Sequence, residues 1–497
     1  MEPIVEVTGG KVSGRALEGV AAFLGIPYAA PLVGAARFEA PGAVTPWDGV
    51  RAAVEYSATC AQTPYPPAIA ALLGTHIRPG DEALTVNVWT PDPAGTDLPV
   101  MVWIHGGAFS RGANCIPIYD GASLARGGVV VVGINYRVGI PGFAVLEGAP
   151  DNRGLLDQLG ALRWVQENIR GFGGDPGNVT VFGESAGAMS IAALLASPAA
   201  VGLFGKAVMQ SGNGSTAATA EDARKVTAAL AGILEIEPTA AAFAAIDSET
   251  LLAAQNRLGL EMVQDPNPER WGASIIRHGM GLMTLFPIID DAVLPDSPID
   301  GIAAGRGHEI PLLIGTTTDE FRFFTVGAGV DSAITAQTLP FLLRRNGLDD
   351  SLADAYAADR PDASSADLYA AIITDLAFRD SSLRIAELRA QADAPTFVYE
   401  FAWRTPVQHL DACHALELPF VFDTLAAAHG LTGPNPPQRL ADTMRSAWLA
   451  FATTGNPGWS PLTADSQQVM VFDNPDSTVG PIPRAAELTA LRTALGR

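Results

Sequence analysis

Three short runs of the chain, Val100-Met101-Val102-Trp103-Ile104, Val129-Val130-Val131-Val132-Gly133-Ile134 and Val179-Thr180-Val181-Phe182, are almost unbroken in their hydrophobicity and rich in β-branched residues. A strand with one wet face alternates apolar and polar residues, whereas one that stays apolar is buried on both faces, as in a mostly parallel sheet covered by helices. Between the second and third runs, Leu155, Leu159, Leu162, Val165 and Ile169 recur at threes and fours, which puts them on one face of a helix. That helix is expected to stop at Gly171-Phe172-Gly173-Gly174-Asp175-Pro176, where glycine supplies the turn and proline forbids continuation. Further strands are expected at 84–89, 207–209, 311–315 and 396–401, with a small antiparallel hairpin system at 4–28 and a loop-rich stretch from 27 to 78 that holds an extended piece at 63–67.

Strands alternating with helices give the α/β class. Residues 217–286 and 332–392 are helical in pattern, the first of them alanine-rich, and no linker-like or repeated segment divides the chain. The expectation is therefore a single domain over residues 1–497, with these two stretches as helical insertions over the carboxyl edge of the sheet.

The third apolar run ends in Gly183-Glu184-Ser185-Ala186-Gly187 and continues into small residues that tolerate a helix. A sharp strand-to-helix turn lifts its serine to the top of a sheet, and glycines flank it because side chains there would strike the neighbouring strand and helix. Ser185 is read as a nucleophile. A nucleophilic serine needs donors for an oxyanion, a histidine base and an acid that orients the base. His105-Gly106-Gly107-Ala108-Phe109 follows a strand and is small enough to bring backbone N–H groups to a developing charge, with the N–H of Ala186 as a further donor.

Seven histidines are available: His76, His105, His278, His308, His409, His414 and His429. The order serine, acid, histidine favours His414, in a loop after the 396–401 strand, though spacing leaves His409 open. For the acid, Asp319 and Glu320 lie just past the 311–315 strand, and the Asp290-Asp291 pair competes. Trp271, Met280, Met283, Leu285, Phe286, Phe323 and Phe324 are candidates to line the pocket.

With 31 basic and 53 acidic residues the net charge is −22, which argues against nucleic acid or an anionic membrane surface as the main partner. No apolar run reaches the ~20 residues of a membrane span. The acidic start, Met1-Glu2-Pro3-Ile4-Val5-Glu6, lacks the pattern of a secretory signal. Cys60, Cys115 and Cys413 are widely spaced, which suits reduced thiols in a cytoplasm and supplies no metal-ligand spacing.

Nearly end to end, the chain resembles the type-B carboxylesterases of the α/β-hydrolase fold, the family that includes cholinesterases, with the pattern of bacterial para-nitrobenzyl esterases. The likeness rests on 102–109, Asn135-Tyr136-Arg137-Val138-Gly139, Gly154-Leu155-Leu156-Asp157-Gln158, 172–176, 182–187 and His414-Ala415-Leu416-Glu417-Leu418-Pro419-Phe420-Val421-Phe422. It implies hydrolysis of small-molecule carboxylic esters through an acyl-enzyme, with Ser185 as nucleophile, His414 as base, Glu320 as acid and no cofactor or metal. The implied oxyanion donors are the backbone N–H groups of Gly107, Ala108 and Ala186, and Arg137 with Asp157 forms a structural ion pair. The rival readings are an amidase or carbamate hydrolase with the same triad, and a non-catalytic binding protein of the kind the family also contains. Two positions depart from the family pattern. Ala83 replaces the cysteine that would pair with Cys60, so that disulfide is not expected, and Phe321 replaces the glycine that usually follows the acid.

Overall fold

The computed structural model describes residues 2–497. Its main feature is an 11-stranded sheet. Seven strands at its centre run parallel, in the spatial order Gln468–Phe472, Thr396–Phe401, Leu312–Thr317, Lys206–Gln210, Gly174–Glu184, Leu98–Ile104 and Val130–Ile134. Antiparallel strands complete both margins: Thr478–Pro481 on one side, and Thr85–Thr90, Val20–Pro27 and Arg15–Leu17 on the other. The continuous apolar runs fall on central strands, where both faces are covered. Val100, Val102 and Ile104 enter one core cluster, while Met101 and Trp103 enter the other. Helix Arg153–Asn168 covers one face through Leu155, Leu159, Leu162 and Val165.

Strand Leu98–Ile104 lies between Val130–Ile134 and Gly174–Glu184, so the chain winds outward from it in both directions. At such a switch point the loops leaving the carboxyl ends diverge and open a crevice. The loops after Ile104 and Glu184 meet there.

Three expectations need correction. Residues 4–28 do not form one hairpin system: Ile4–Val7 and Gly10–Ser13 pair antiparallel in a separate three-stranded sheet with Val50–Ala52, but Val20–Pro27 joins the large sheet. All eight residues of Val20–Pro27 are buried, which a free-standing hairpin could not provide. The loop-rich stretch contains helix Pro67–Leu73, since a proline at the first helical turn starts a helix as readily as it extends a chain. Strand Gly174–Glu184 also begins within the glycine-rich stop, ahead of the apolar run.

The helical stretches hold Ala220–Leu234, Ser248–Gln264 and Ala273–Gly279 in the first, and Leu339–Arg345, Ser365–Thr374 and Asp380–Ala390 in the second. A five-residue π-helical turn, Asp375–Arg379, joins the last two. Its widened backbone is held by Asp375, which accepts from the Tyr356 hydroxyl at 2.7 Å and pairs with Arg379 at 3.1 Å. Such turns cluster at functional sites, and this one presents Phe378 to the crevice. No described helix is long and apolar enough to cross a membrane.

Candidate active site

Ser185 is the residue between strand Gly174–Glu184 and helix Ala186–Ala196, and its backbone sits at φ 55°, ψ −122°. A side chain rarely adopts this conformation, and here the fold enforces it. The Ser185 amide donates to the carbonyl of Gln210 at 2.9 Å on the adjacent strand, and its carbonyl accepts from Met189 in the first helical turn at 2.9 Å. The flanking glycines are steric necessities. A Cβ on Gly183 would stand 2.7 Å from the Ile104 carbonyl oxygen, and one on Gly187 would overlap that same oxygen.

The loop after Ile104 turns back at once, with Gly107 at φ 117° and Ala108 at φ 55°. Among the described residues nothing accepts from the amides of Gly107 and Ala108, and Ala186, at the first helical position, has no intrahelical acceptor. His105 belongs to this scaffold. Its ring stacks on Tyr136 at 4.4 Å and its Nδ1 donates to the Gly106 carbonyl at 2.8 Å, while burial pushes its pKa down to about 4 and keeps it neutral.

Glu320 and His414 come from separate loops that are clasped together. Nδ1 of His414 lies 2.5 Å from Oε2 of Glu320, and Oε1 of Glu320 accepts from the Thr317 amide at 2.8 Å. Asp319 turns the other way. Its amide donates to the Ala412 carbonyl at 2.9 Å, and its Oδ2 accepts from the Ala412 amide at 3.3 Å, so it ties the two loops without touching His414. His409 is exposed and offers its carbonyl to Arg322. Asp290 caps its own loop by accepting from the amides of Ala292, Val293 and Leu294. Phe321, in the place of the usual glycine, has φ −75° and ψ −10°, a conformation open to any residue. Its amide donates to Thr374 at 2.9 Å.

Two acids that the sequence reading passed over complete the surroundings. Glu184, the middle residue of Gly183-Glu184-Ser185, places Oε1 2.9 Å from Nε2 of His414, off the line of a hydrogen bond. Ser185 makes no hydrogen bond to the imidazole in this arrangement, among the described residues. Burial opposes the imidazolium, but Glu184 and Glu320 together hold the His414 pKa well above the ordinary range. Glu417, three residues on, is buried and accepts from Gln210 at 3.1 Å. Burial, with Glu184 and Glu320 adding to it, pushes its pKa up to about 8. The signal for both was present: an acid at the last position of a buried strand, and an acid within an otherwise apolar run.

Ser185, His414, Gly107 and Ala108 open onto one cavity of about 280 Å³, and Phe323, Phe324, Phe378, Met280 and Met283 form its apolar wall. Phe324 and Phe378 lie 5.1 and 4.9 Å from the His414 ring. Trp271, Leu285 and Phe286 are not part of this wall; all three are buried in the core, where bulky apolar side chains usually end. Arg137 and Asp157 form a buried pair at 2.6 Å, with Arg137 also donating to the Glu39 carbonyl at 2.6 Å. Cys60, Cys115 and Cys413 are free and buried.

Residues 1–490 match the model of the carboxylesterase family. The chain belongs to that family. It is 40% identical to the para-nitrobenzyl esterase of Bacillus subtilis (strain 168) over 490 residues, 95% of each chain. It is 34% identical to the phenmedipham hydrolase of Pseudarthrobacter oxydans over 96% of each chain. A solved thermophilic para-nitrobenzyl esterase superposes with a TM-score of 0.85 at 38% identity, covering 99% of this chain and 100% of the other. The carboxylesterase assignment makes the protein a carboxylic ester hydrolase with the α/β-hydrolase fold.

Proposed function

We propose that this carboxylesterase hydrolyses small-molecule carboxylic esters through an acyl-enzyme on Ser185. The supporting observation is the 2.5 Å contact between Glu320 and Nδ1 of His414, which leaves Nε2 turned into the cavity that Ser185 lines. His414 leaves Glu184, takes the Ser185 proton as Oγ attacks the carbonyl, and returns that proton to the departing alcohol. Water repeats the sequence on the acyl group. The amides of Gly107, Ala108 and Ala186 hold the oxyanion, and losing one such donor costs about 2.7–4 kcal/mol of barrier. Glu320 fixes the imidazole tautomer and stabilises its cation. The free, buried cysteines suit a reducing cytoplasm.

An organophosphonate should label Ser185 with one equivalent, read by peptide mass spectrometry. Ser185→Ala should fold, resist labelling and lose turnover of a short-chain aryl ester by several orders of magnitude. Labelling at another residue, or full turnover by the variant, would overturn the reading.

A further inference from the structure

Beyond the groups assigned above, the cavity holds a cation that the hydrolytic steps do not use. Arg111 lines the same space as Ser185 and His414, and it is fixed to the oxyanion loop: its amide donates to the Gly107 carbonyl at 3.1 Å. Its guanidinium stands 5.1 Å from the ring centroid of Tyr65. The remaining partners are weak, with Nε 3.4 Å from the Ser110 hydroxyl and Nη1 3.4 Å from the Pro64 carbonyl. No carboxylate pairs with it among the described residues. Glu184, the acid that shares the cavity, is turned to His414. Burial lowers the Arg111 pKa.

Other buried arginines here are satisfied. Arg137 pairs with Asp157, Arg153 donates to the carbonyls of Pro141, Pro150, Ile140 and Ala144, and Arg389 donates to Thr396 and to the carbonyls of Gly307 and Ile310. A half-buried cation held in place without an anion has lost hydration and gained little in return, unless a ligand supplies the anion. The chain's net charge of −22 sharpens the point: its summed field repels anions, so an anionic substrate would need a fixed local cation beside the reacting carbonyl.

We propose that Arg111 selects esters bearing a carboxylate, which its guanidinium binds while Ser185 addresses the ester carbonyl; this rests on Ser185 being the nucleophile. The planar fork matches a carboxylate's two oxygens, and the Tyr65 face keeps it from swinging away.

The test uses two matched substrate pairs on the full-length protein. An aryl hydrogen adipate against its methyl-capped diester carries the charge on the acyl side, and 3-carboxyphenyl butyrate against phenyl butyrate carries it on the leaving group. In at least one pair, Arg111→Met should lower the ratio of kcat/KM for the charged over the neutral ester by about 10- to 100-fold, the value of a charge-assisted hydrogen bond. Arg111→Lys should restore much of that ratio, which a structural role for the side chain would not produce. Ratios within twofold of wild type in both pairs overturn the proposal.

Calorimetry on Ser185→Ala separates this inference from the esterase reading. The monoanilides of adipate and of its methyl ester serve as uncleaved probes, and the carboxylate form should bind tighter by a margin that Arg111→Met abolishes. That margin without any ester turnover in the wild type would sink the reading of Ser185 and keep the Arg111 site. Turnover with neither a ratio change nor a binding margin would remove the Arg111 site alone.

Discussion

Glu320 holds His414 twice: its Oε2 lies 2.5 Å from the imidazole Nδ1, and its main-chain carbonyl accepts from the His414 amide at 3.3 Å. The side-chain contact sets the tautomer, and the backbone contact fixes where the loop can place the ring. Glu320→Gln should keep the backbone contact and lose the charge. We expect an unchanged circular dichroism spectrum with kcat lowered about 10³- to 10⁴-fold, as when the acid of such a triad is neutralised. A fall below tenfold would show that Glu320 is not the orienting acid.

The carboxylate pair around His414 makes a pH prediction. The base works as neutral imidazole, so kcat/KM should rise with pH through a pKa well above 6.5, and Glu184→Gln should move that rise to lower pH by removing one of the two stabilising charges. The stability sign follows from a raised folded pKa. The contribution is fully present below the unfolded value of about 6.5 and is lost as pH climbs through the folded one. Urea unfolding of the Glu184→Gln variant across pH 6 to 9 should show a smaller loss than wild type.

Glu417 titrates in the same sense for a different reason. Its folded pKa is pushed up to about 8, first by burial and then by Glu184 and Glu320. Stability is therefore shed from the unfolded value of about 4.5 up to that pH, where the buried acid is forced to ionise. Glu417→Gln should flatten this part of the stability profile, as read by urea midpoints at a series of pH values. An unchanged profile would count against a protonated Glu417.

The Ile104 carbonyl lies where side chains on Gly183 and Gly187 would project. Gly187→Ala should destabilise the protein by about 3 kcal/mol or more, or prevent folding, because the intruding atom is met by backbone that cannot rotate away. Expression level and thermal unfolding would report it.

Ser185 itself carries strain. Because φ 55° with ψ −122° suits glycine, Ser185→Gly should be more stable than the equally inactive Ser185→Ala by about 1 kcal/mol, measured by chemical unfolding.

The central strands were legible because burial on both faces writes an unbroken apolar run, and Thr396–Phe401 has the expected bounds. The turn at Ser185 was legible because backbone crowding leaves only glycine at 183 and 187. Other features were less so. Asp319 and Glu320 are adjacent and alike in charge, and only the direction in which the loop turns sends one to Ala412 and the other to His414. Val20–Pro27 reads locally as half of a hairpin, and its place beside Thr85–Thr90 is a long-range pairing that local pattern does not encode. The pocket wall was obscure for a related reason: Trp271 ends one short helix and Met280 follows the next, and packing alone sends one to the core and the other to the cavity. Glu184 reads locally as one residue of the turn, and only the docking of the His414 loop gives it a partner.

The parts of this site are spread through the chain, from Gly107 in one loop to His414 in a loop that follows the Thr396–Phe401 strand. During synthesis the serine and its oxyanion loop can be in place on the first parallel strands long before the imidazole has left the ribosome. Between the emergence of Gln210 and that of His414 the chain would thus carry an unarmed scaffold, with reactivity arriving only when the later loop docks.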